Sequence, residues 1–187
     1  TGYFTIRALS TLYHEVPETD AFRIVSSELV NENGDESHII DLLNGQLDVE
    51  TAVSLDQYAE DAKAFLRRNN VHIRAILDAF CHAKAYIFSN KDKGDNSAFL
   101  SGSSNLTDAG LGLKKSANVE LNTCRRCDYT DQDYMEICSW FEDIWKVAKE
   151  DIPVDPNNPK AGKISVKDFF IKKIEDYFRK YTPEEIY

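Results

Sequence analysis

The sequence predicts an α/β domain in which a mixed β-sheet is flanked by helices on both faces. Short β-rich segments alternate along the chain with segments of helical periodicity, a pattern typical of a sheet covered by helices. The 187 residues, of which 42% are hydrophobic, suffice for one core. No apolar run approaches the roughly 20 residues that a membrane-spanning helix needs.

Along the first third of the chain, one strand and two helices are predicted. Residues 21–25 are β-rich and predict a strand, and residues 35–43 predict a short helix. Ser54 or Asp56 is the expected N-cap of a longer helix, whose apolar residues recur at helical spacing until Asn69-Asn70.

Four strands are predicted in the middle of the chain. Their residues alternate or are rich in β-branched and aromatic types, and they span 71–76, 82–88, 97–101 and 117–123. The polar stretch 89–96 predicts a loop, and glycines 110 and 112 predict a turn before the last strand.

The last third predicts two helices and a linker. After Asp131 an apolar stripe at 3–4-residue spacing indicates a helix whose stripe belongs to the core or to a helix interface. Three of the five prolines fall between 153 and 159, so residues 151–163 are predicted to be a Pro-rich linker. Residues 1–150 then form the main domain, and residues 164–187 form a C-terminal helix that could begin a following region.

Charge and cysteine content exclude several classes of protein. The net charge of −10 excludes a uniformly basic nucleic-acid-coating protein and a polybasic membrane binder. Four cysteines in a domain of this size are no disulfide scaffold, which favours a reducing cytoplasm. Because the chain begins at Thr1 and not at Met, we expect it to be part of a longer protein.

Polar side chains on the central strands predict a catalytic site. His82 and Lys84 are two residues apart on a predicted strand, so their side chains should share one face. Gly102-Ser103-Ser104-Asn105 ends the next strand, and Glu120 lies inside the following one. We expect these groups to converge at one edge of the sheet.

This set of groups suits attack on a phosphodiester. One imidazole can attack phosphorus while another protonates the leaving oxygen. Lys84 and Asn105 would hold the non-bridging oxygens, and a carboxylate behind the imidazole would fix its tautomer. The reaction requires no metal and no other cofactor.

The two motifs resemble the HxK…GSxN signature of the phospholipase D superfamily. The resemblance covers residues 1–150, including the opening Thr1-Gly2-Tyr3-Phe4, and is closest to nuclease modules of restriction endonucleases and bacterial Swi/Snf-type or DEAD-box-like helicases. It implies that His82 forms a phosphohistidine, that Lys84 and Asn105 clamp the phosphate, and that Glu120 pairs with the histidine. In that family the residue at Ser103 often contacts the phosphate, whereas Ser104 is variable.

One departure and one missing motif refine the expectation. The family's HxKxxxxD pattern has Ser89 at its Asp position here, which disfavours a lipase more than a nuclease. The family's centre needs two HxK motifs and this chain has one, so a complete site requires a homodimer. The expected function is therefore a DNA phosphodiesterase module that precedes a helicase (ATPase) domain in the same chain, with no membrane partner.

Other interpretations of these residues stay open. His82 could be a core histidine, Glu120 a solvated carboxylate, and Ser103 and Ser104 ordinary turn residues. The basic residues near the site could contact the DNA backbone or form a solvated face; they are Lys114, Lys115, Arg125 and Arg126.

Rival functions stay open as well. Cys124 and Cys127 form a CxxC that could bind zinc or act in redox chemistry. Cys138 could be a third ligand, but a complete zinc site lacks an identified fourth. The whole domain could be a catalytically silent DNA-binding module, or a phospholipase.

Overall fold

The computed structural model describes residues 4–18, 20–27, 49–78, 81–90, 96–112, 119–155 and 158–180. The predicted helix at 35–43, the opening residues 1–3 and the lysines at 114 and 115 lie outside this set. The described helices are α1 (Ile6–Glu15), α2 (Val49–Arg67), α3 (Gln132–Val147) and α4 (Val166–Lys180). The described strands are β1 (Phe22–Ser27), β2 (Val71–Ile76), β3 (Ala85–Phe88), β4 (Ser97–Gly102), β5 (Asn122–Cys127), β6 (Asp151–Pro153) and β7 (Lys163–Ser165).

The strands confirm an α/β fold, but the described ones form three small sheets where the sequence predicted a single sheet. β1 and β2 are parallel, β3, β4 and β5 form an antiparallel sheet in that order, and β6 and β7 form a hairpin. Side-chain hydrogen bonds connect the first two sheets: the Ser27 hydroxyl donates to the Cys81 carbonyl (3.3 Å) and accepts from the Cys81 amide (3.0 Å). No helix among the described residues is long and apolar enough to cross a membrane.

The main hydrophobic core lies between α1, α2, α4 and the β1–β2 sheet. Leu9, Phe65, Leu66, Val71 and Val166 are almost fully buried in it. The predicted periodicity of α2 is thereby confirmed, because Phe65 and Leu66 lie on its apolar face.

In the Pro-rich stretch, residues 151–155 and 158–163 are described, and they are folded where the sequence predicted a linker. β6 pairs with β7 across it, and Ile152 is buried in the main core. A 3₁₀ turn over Pro159–Ala161 lies between the two strands. The C-terminal helix α4 packs into the same core, where the rings of Phe4 and Phe170 are 4.6 Å apart.

A buried carboxylate connects α1 to α2. Asp61 accepts hydrogen bonds from Ser10 (2.9 Å) and Gln57 (2.8 Å), and its Oδ2 lies 2.9 Å from Nε2 of His14. Burial by itself would raise the pKa of Asp61, but these hydrogen bonds outweigh it and hold that pKa below its ordinary value.

Helix α3 is attached to the β1–β2 sheet through aromatic rings and guanidinium groups. Arg23 lies 5.0 Å from the Phe141 ring centre and Arg74 lies 4.5 Å from that of Trp145. The predicted stripe of α3 is therefore an interface, with Tyr134 and Ala148 buried at its two ends.

Three predicted elements begin at least three residues away from their predicted start. α2 is already helical at Val49, so neither Ser54 nor Asp56 caps it. β3 begins at Ala85, so the segment from His82 to Lys84 precedes the strand. β5 begins only at Asn122, where its pairing with β4 starts opposite Gly102. Among the described residues it is an edge strand with exposed polar side chains, so its residues carry no strand-like alternation in the sequence.

Candidate active site

The segment that carries His82 and Lys84 lies beside the end of β4. Pairing between β3 and β4 continues one residue beyond β3, since the Gly102 amide donates to the Lys84 carbonyl (3.2 Å). The Ser27 side chain holds the other end of this segment at Cys81. The two halves of the motif, the HxK segment and the GSxN turn, are thus neighbours in space, as the sequence predicted.

Lys84 is a buried lysine whose ammonium has few protein acceptors. The residue is 7% exposed, and its Nζ donates one hydrogen bond, of 2.8 Å, to the backbone carbonyl of His82. Among the described residues no carboxylate lies within ion-pair distance of this ammonium. Because an ammonium has three donors, two are left for an anionic ligand.

His82 and Lys84 differ in burial, whereas the sequence predicted that their side chains share one face of a strand. His82 is exposed, whereas Lys84 is buried. The prediction depended on strand alternation, which does not apply here because the strand begins only at Ala85.

Ser103 and Glu120 form a hydrogen-bonded pair. The Ser103 hydroxyl donates a short hydrogen bond to the Glu120 carboxylate and accepts one from the Leu121 amide (3.0 Å). The Ser103 amide also donates to the Leu121 carbonyl (3.1 Å). Ser103 is therefore more than a turn residue, because it fixes the segment that carries Glu120.

Ser104 is buried and paired with Asn122. The Asn122 amide group donates to the Ser104 hydroxyl (2.7 Å), and its oxygen accepts from the Ser104 backbone amide (3.3 Å). The Tyr86 hydroxyl donates to the Ser104 carbonyl (2.9 Å). The GSxN turn is thus held from both neighbouring strands.

Gly102 is required by the close approach of these two segments. A Cβ at this position would lie 2.3 Å from both the Asn122 side-chain oxygen and the Leu121 carbonyl. Only a residue without a side chain lets the 119–122 segment lie this close to the turn.

The loop that follows Asn105 is anchored to the start of α1. Asn105 is half-buried, and Gly110 packs so closely on its carbonyl that a Cβ there would be 2.1 Å away. The Thr5 hydroxyl, which caps α1, donates to the buried carboxylate of Asp108 (2.8 Å). The chain before α1 therefore helps to position the loop next to Asn105.

Sequence reasoning missed four of these supporting residues: Thr5, Tyr86, Asp108 and Asn122. For Tyr86 and Asn122 a signal existed, because both are hydrogen-bonding residues close to the motif. Thr5 and Asp108 are 103 positions apart, and nothing in a single sequence connects them.

The two basic residues of β5 differ in their surroundings. Arg125 forms an ion pair with Asp133 at the start of α3, which reduces its availability to a phosphate. Arg126 projects to the opposite face of the strand and is exposed.

The two cysteines of the CxxC do not converge. On a strand, a spacing of three puts side chains on opposite faces, and accordingly Cys124 is exposed whereas Cys127 is buried. Burial raises the pKa of the Cys127 thiol, and the nearby Asp131 carboxylate adds to this. Within the described part of the chain, no group of three or more His, Cys, Asp or Glu side chains could hold a metal ion.

The arrangement offers an exposed imidazole, a buried ammonium with donors left for a ligand and a carboxylate on a fixed segment, all around the GSxN turn. Such a set can bind an anion and transfer protons.

Comparison with known proteins adds nothing to this: no protein-family model, curated protein or solved structure is significantly similar to the chain.

Proposed function

We propose that this chain is a phospholipase D-like phosphodiesterase that cleaves DNA through a phosphohistidine at His82. The observation that carries the proposal is the ammonium of the buried Lys84, whose one hydrogen bond to the described side chains and backbone goes to a carbonyl. Burying an ammonium costs free energy unless charged acceptors surround it. A phosphate bound beside Gly102 and Ser103 would supply those acceptors.

The reaction assigns each group a role. A ring nitrogen of His82 attacks phosphorus, and the bond from phosphorus to the leaving sugar oxygen breaks while His82 of a second copy protonates that oxygen. Water, which gives its proton to His82 of the second copy, then attacks the phosphohistidine. The phosphorus–nitrogen bond breaks, a phosphate monoester is released and both imidazoles return to their starting state. Lys84 and Asn105 bind the non-bridging oxygens, Ser103 holds the Glu120 carboxylate in place, and Glu120 orients an imidazole.

A homodimer is part of the proposal, because one chain supplies one HxK motif. Val119 and Leu121 flank Glu120 and are almost completely exposed, at 103% and 83%. Exposed aliphatic side chains next to a site are typical of an interaction surface. A two-fold axis beside them would bring two copies of His82 together.

The proposal also includes a helicase partner and a cytoplasmic location, and this part depends on the charge of the whole chain and not on the site. The net charge of −10 disfavours tight autonomous binding to DNA, which fits a cytoplasmic module that a helicase domain of the same protein delivers to its substrate.

Cleavage of DNA in excess EDTA tests this function. We expect wild-type cleavage to continue in EDTA, and His82→Ala to lower the rate by at least about a thousandfold, as loss of a nucleophile does. His72→Ala is the matched control, because His72 is an exposed histidine on β2, outside the site. Metal-dependent cleavage that His82→Ala leaves unchanged would refute the proposal.

One observation favours a silent DNA-binding module instead. His82 is exposed whereas Lys84 is buried, so the ammonium could hold a phosphate that no imidazole attacks. Salt-sensitive DNA binding that Lys84→Met weakens, without any cleavage by wild type, would identify this second function.

A further inference from the structure

A groove of about 190 Å³ lies at the outer edge of β2, at the opposite end from the candidate active site. Its walls come from the first half of β2, from Trp145 near the end of α3, and from Ser165 and Lys167 around the start of α4. The far end of β2 is Ile76, which pairs with Ser27, the residue that holds Cys81. The groove is therefore separate from the residues around His82.

The outer edge of β2 faces this groove. Ala75 exchanges both of its backbone hydrogen bonds with Lys149 (2.8 and 2.7 Å), so Ala75 faces outward from the β1–β2 pair. Residues two apart on a parallel strand present their backbone groups to the same edge. The amide of Ile73, which lines the groove, thus faces the same side.

Lys167 contributes a positioned ammonium. Its Nζ donates to the carbonyls of Arg68 (2.7 Å) and Val71 (3.0 Å), so the described part of the chain leaves one of its three donors for a ligand. Within the described residues no carboxylate lies within ion-pair distance of this ammonium. Burial lowers the pKa of Lys167, and the neighbouring Asp168 opposes that effect only in part.

Arg74 contributes a second fixed cation. Its guanidinium lies over the Trp145 ring, and its Nη1 donates to the Trp145 carbonyl (2.8 Å). Glu150 is the one carboxylate among the described residues that line the groove. It is at the rim, with a side chain that is 70% exposed and 3.7 Å from the guanidinium. His72, two residues from Arg74, projects from the same face of β2.

We propose that this groove is a binding site for a phosphate group, held by the Lys167 ammonium, the Ile73 amide and the Arg74 guanidinium. The two cations are fixed by backbone carbonyls before any ligand arrives, so little conformational entropy is lost on binding. The volume corresponds to roughly six water molecules, which suits a phosphate or a small phosphate ester. This site does not depend on the proposed nuclease activity.

Tryptophan fluorescence offers a direct test, because the chain has two tryptophans and one of them lines the groove. Trp140→Phe leaves Trp145 as the reporter, and inorganic phosphate is the probe, with sodium chloride at matched ionic strength as the reference. We expect a saturable change with phosphate that Lys167→Met weakens at least about tenfold, as expected for a lost charged hydrogen bond. Lys172→Met, an exposed lysine of the same helix, is the matched control and should bind as before.

A second variant separates binding from folding damage. Glu150→Gln removes the rim carboxylate, and we expect it to tighten phosphate binding by roughly threefold, the effect of one rim charge. A nucleoside 5′-monophosphate in the same titration distinguishes free phosphate from a phosphate ester, and saturable binding of either supports the site. A change that chloride reproduces, or saturable binding that neither Lys167→Met weakens nor Glu150→Gln tightens, would overturn the proposal.

Discussion

Gly102→Ala tests how closely the 119–122 segment packs on the GSxN turn. The new methyl group would lie 2.3 Å from the Asn122 side-chain oxygen and from the Leu121 carbonyl, where an ordinary contact begins at 3.4 Å. The two segments must therefore separate by roughly 1 Å, which a well-packed strand pair resists. Separation also weakens the Ser103–Leu121 hydrogen bonds (3.0 and 3.1 Å).

We expect the two effects together to lower the free energy of unfolding by about 3 kcal/mol, about half from overpacking and half from hydrogen bonds. For a domain of this size the melting temperature should fall by roughly 6–12 °C. Urea and thermal unfolding followed by circular dichroism measure this, with Ser101→Ala on the same strand as the control. A variant within about 0.5 kcal/mol of wild type would refute the close packing, since that is the range of neutral surface substitutions.

Three further predictions concern other buried groups. Hydrogen bonds hold the pKa of Asp61 below its ordinary value of 3.8, so the ionised carboxylate stabilises the folded protein fully above that pH, and this stabilisation is lost as the pH falls further. Asp61→Asn should lower the free energy of unfolding by about 2 kcal/mol at pH 7. In urea unfolding, its stability should also change less with pH below about pH 4 than that of wild type. A thiol reagent at pH 8 should label the exposed Cys124 first and the buried Cys127 only after unfolding, and equal labelling rates would contradict the assigned burial. Tyr134→Phe removes a hydrogen bond to the Phe88 carbonyl (3.1 Å) and should cost about 1 kcal/mol in urea unfolding, whereas an unchanged midpoint would show that the bond contributes nothing.

The sequence predicts best those elements whose buried residues recur at the spacing of a strand or of a helix. β2 has the predicted bounds, Val71–Ile76, because its alternate residues Val71, Ile73 and Ala75 are buried. The prediction of α3 after Asp131 is confirmed for the same reason, since its apolar stripe contacts the β1–β2 sheet.

Prediction was poorest where tertiary contacts decide the structure. Val119 and Leu121 have the alternation of a buried strand, yet both are exposed, and the pairing with β4 starts instead at Asn122. The Pro-rich stretch was misleading in another way: its composition resembles a linker, but Ile152 belongs to the main core. A local pattern does not show which residues a distant element will cover.

The candidate site also has one feature that the sequence predicts and one that depends on tertiary contacts. The motif predicted that Lys84 and the GSxN turn are neighbours, and the Gly102–Lys84 backbone hydrogen bond confirms this. The burial of Lys84 could not be foreseen, because it depends on how the chain between Cys81 and Ala85 packs outside any strand.

Trapping of a covalent intermediate tests the proposed chemistry most directly. End-labelled DNA is mixed with the protein in EDTA, quenched within milliseconds to seconds at neutral or alkaline pH and separated on a denaturing gel. The proposal predicts labelled DNA that migrates with the protein in wild type and His72→Ala, and no such band in His82→Ala. Cleavage products that form without any adduct, at equal rates in wild type and His82→Ala, would contradict it.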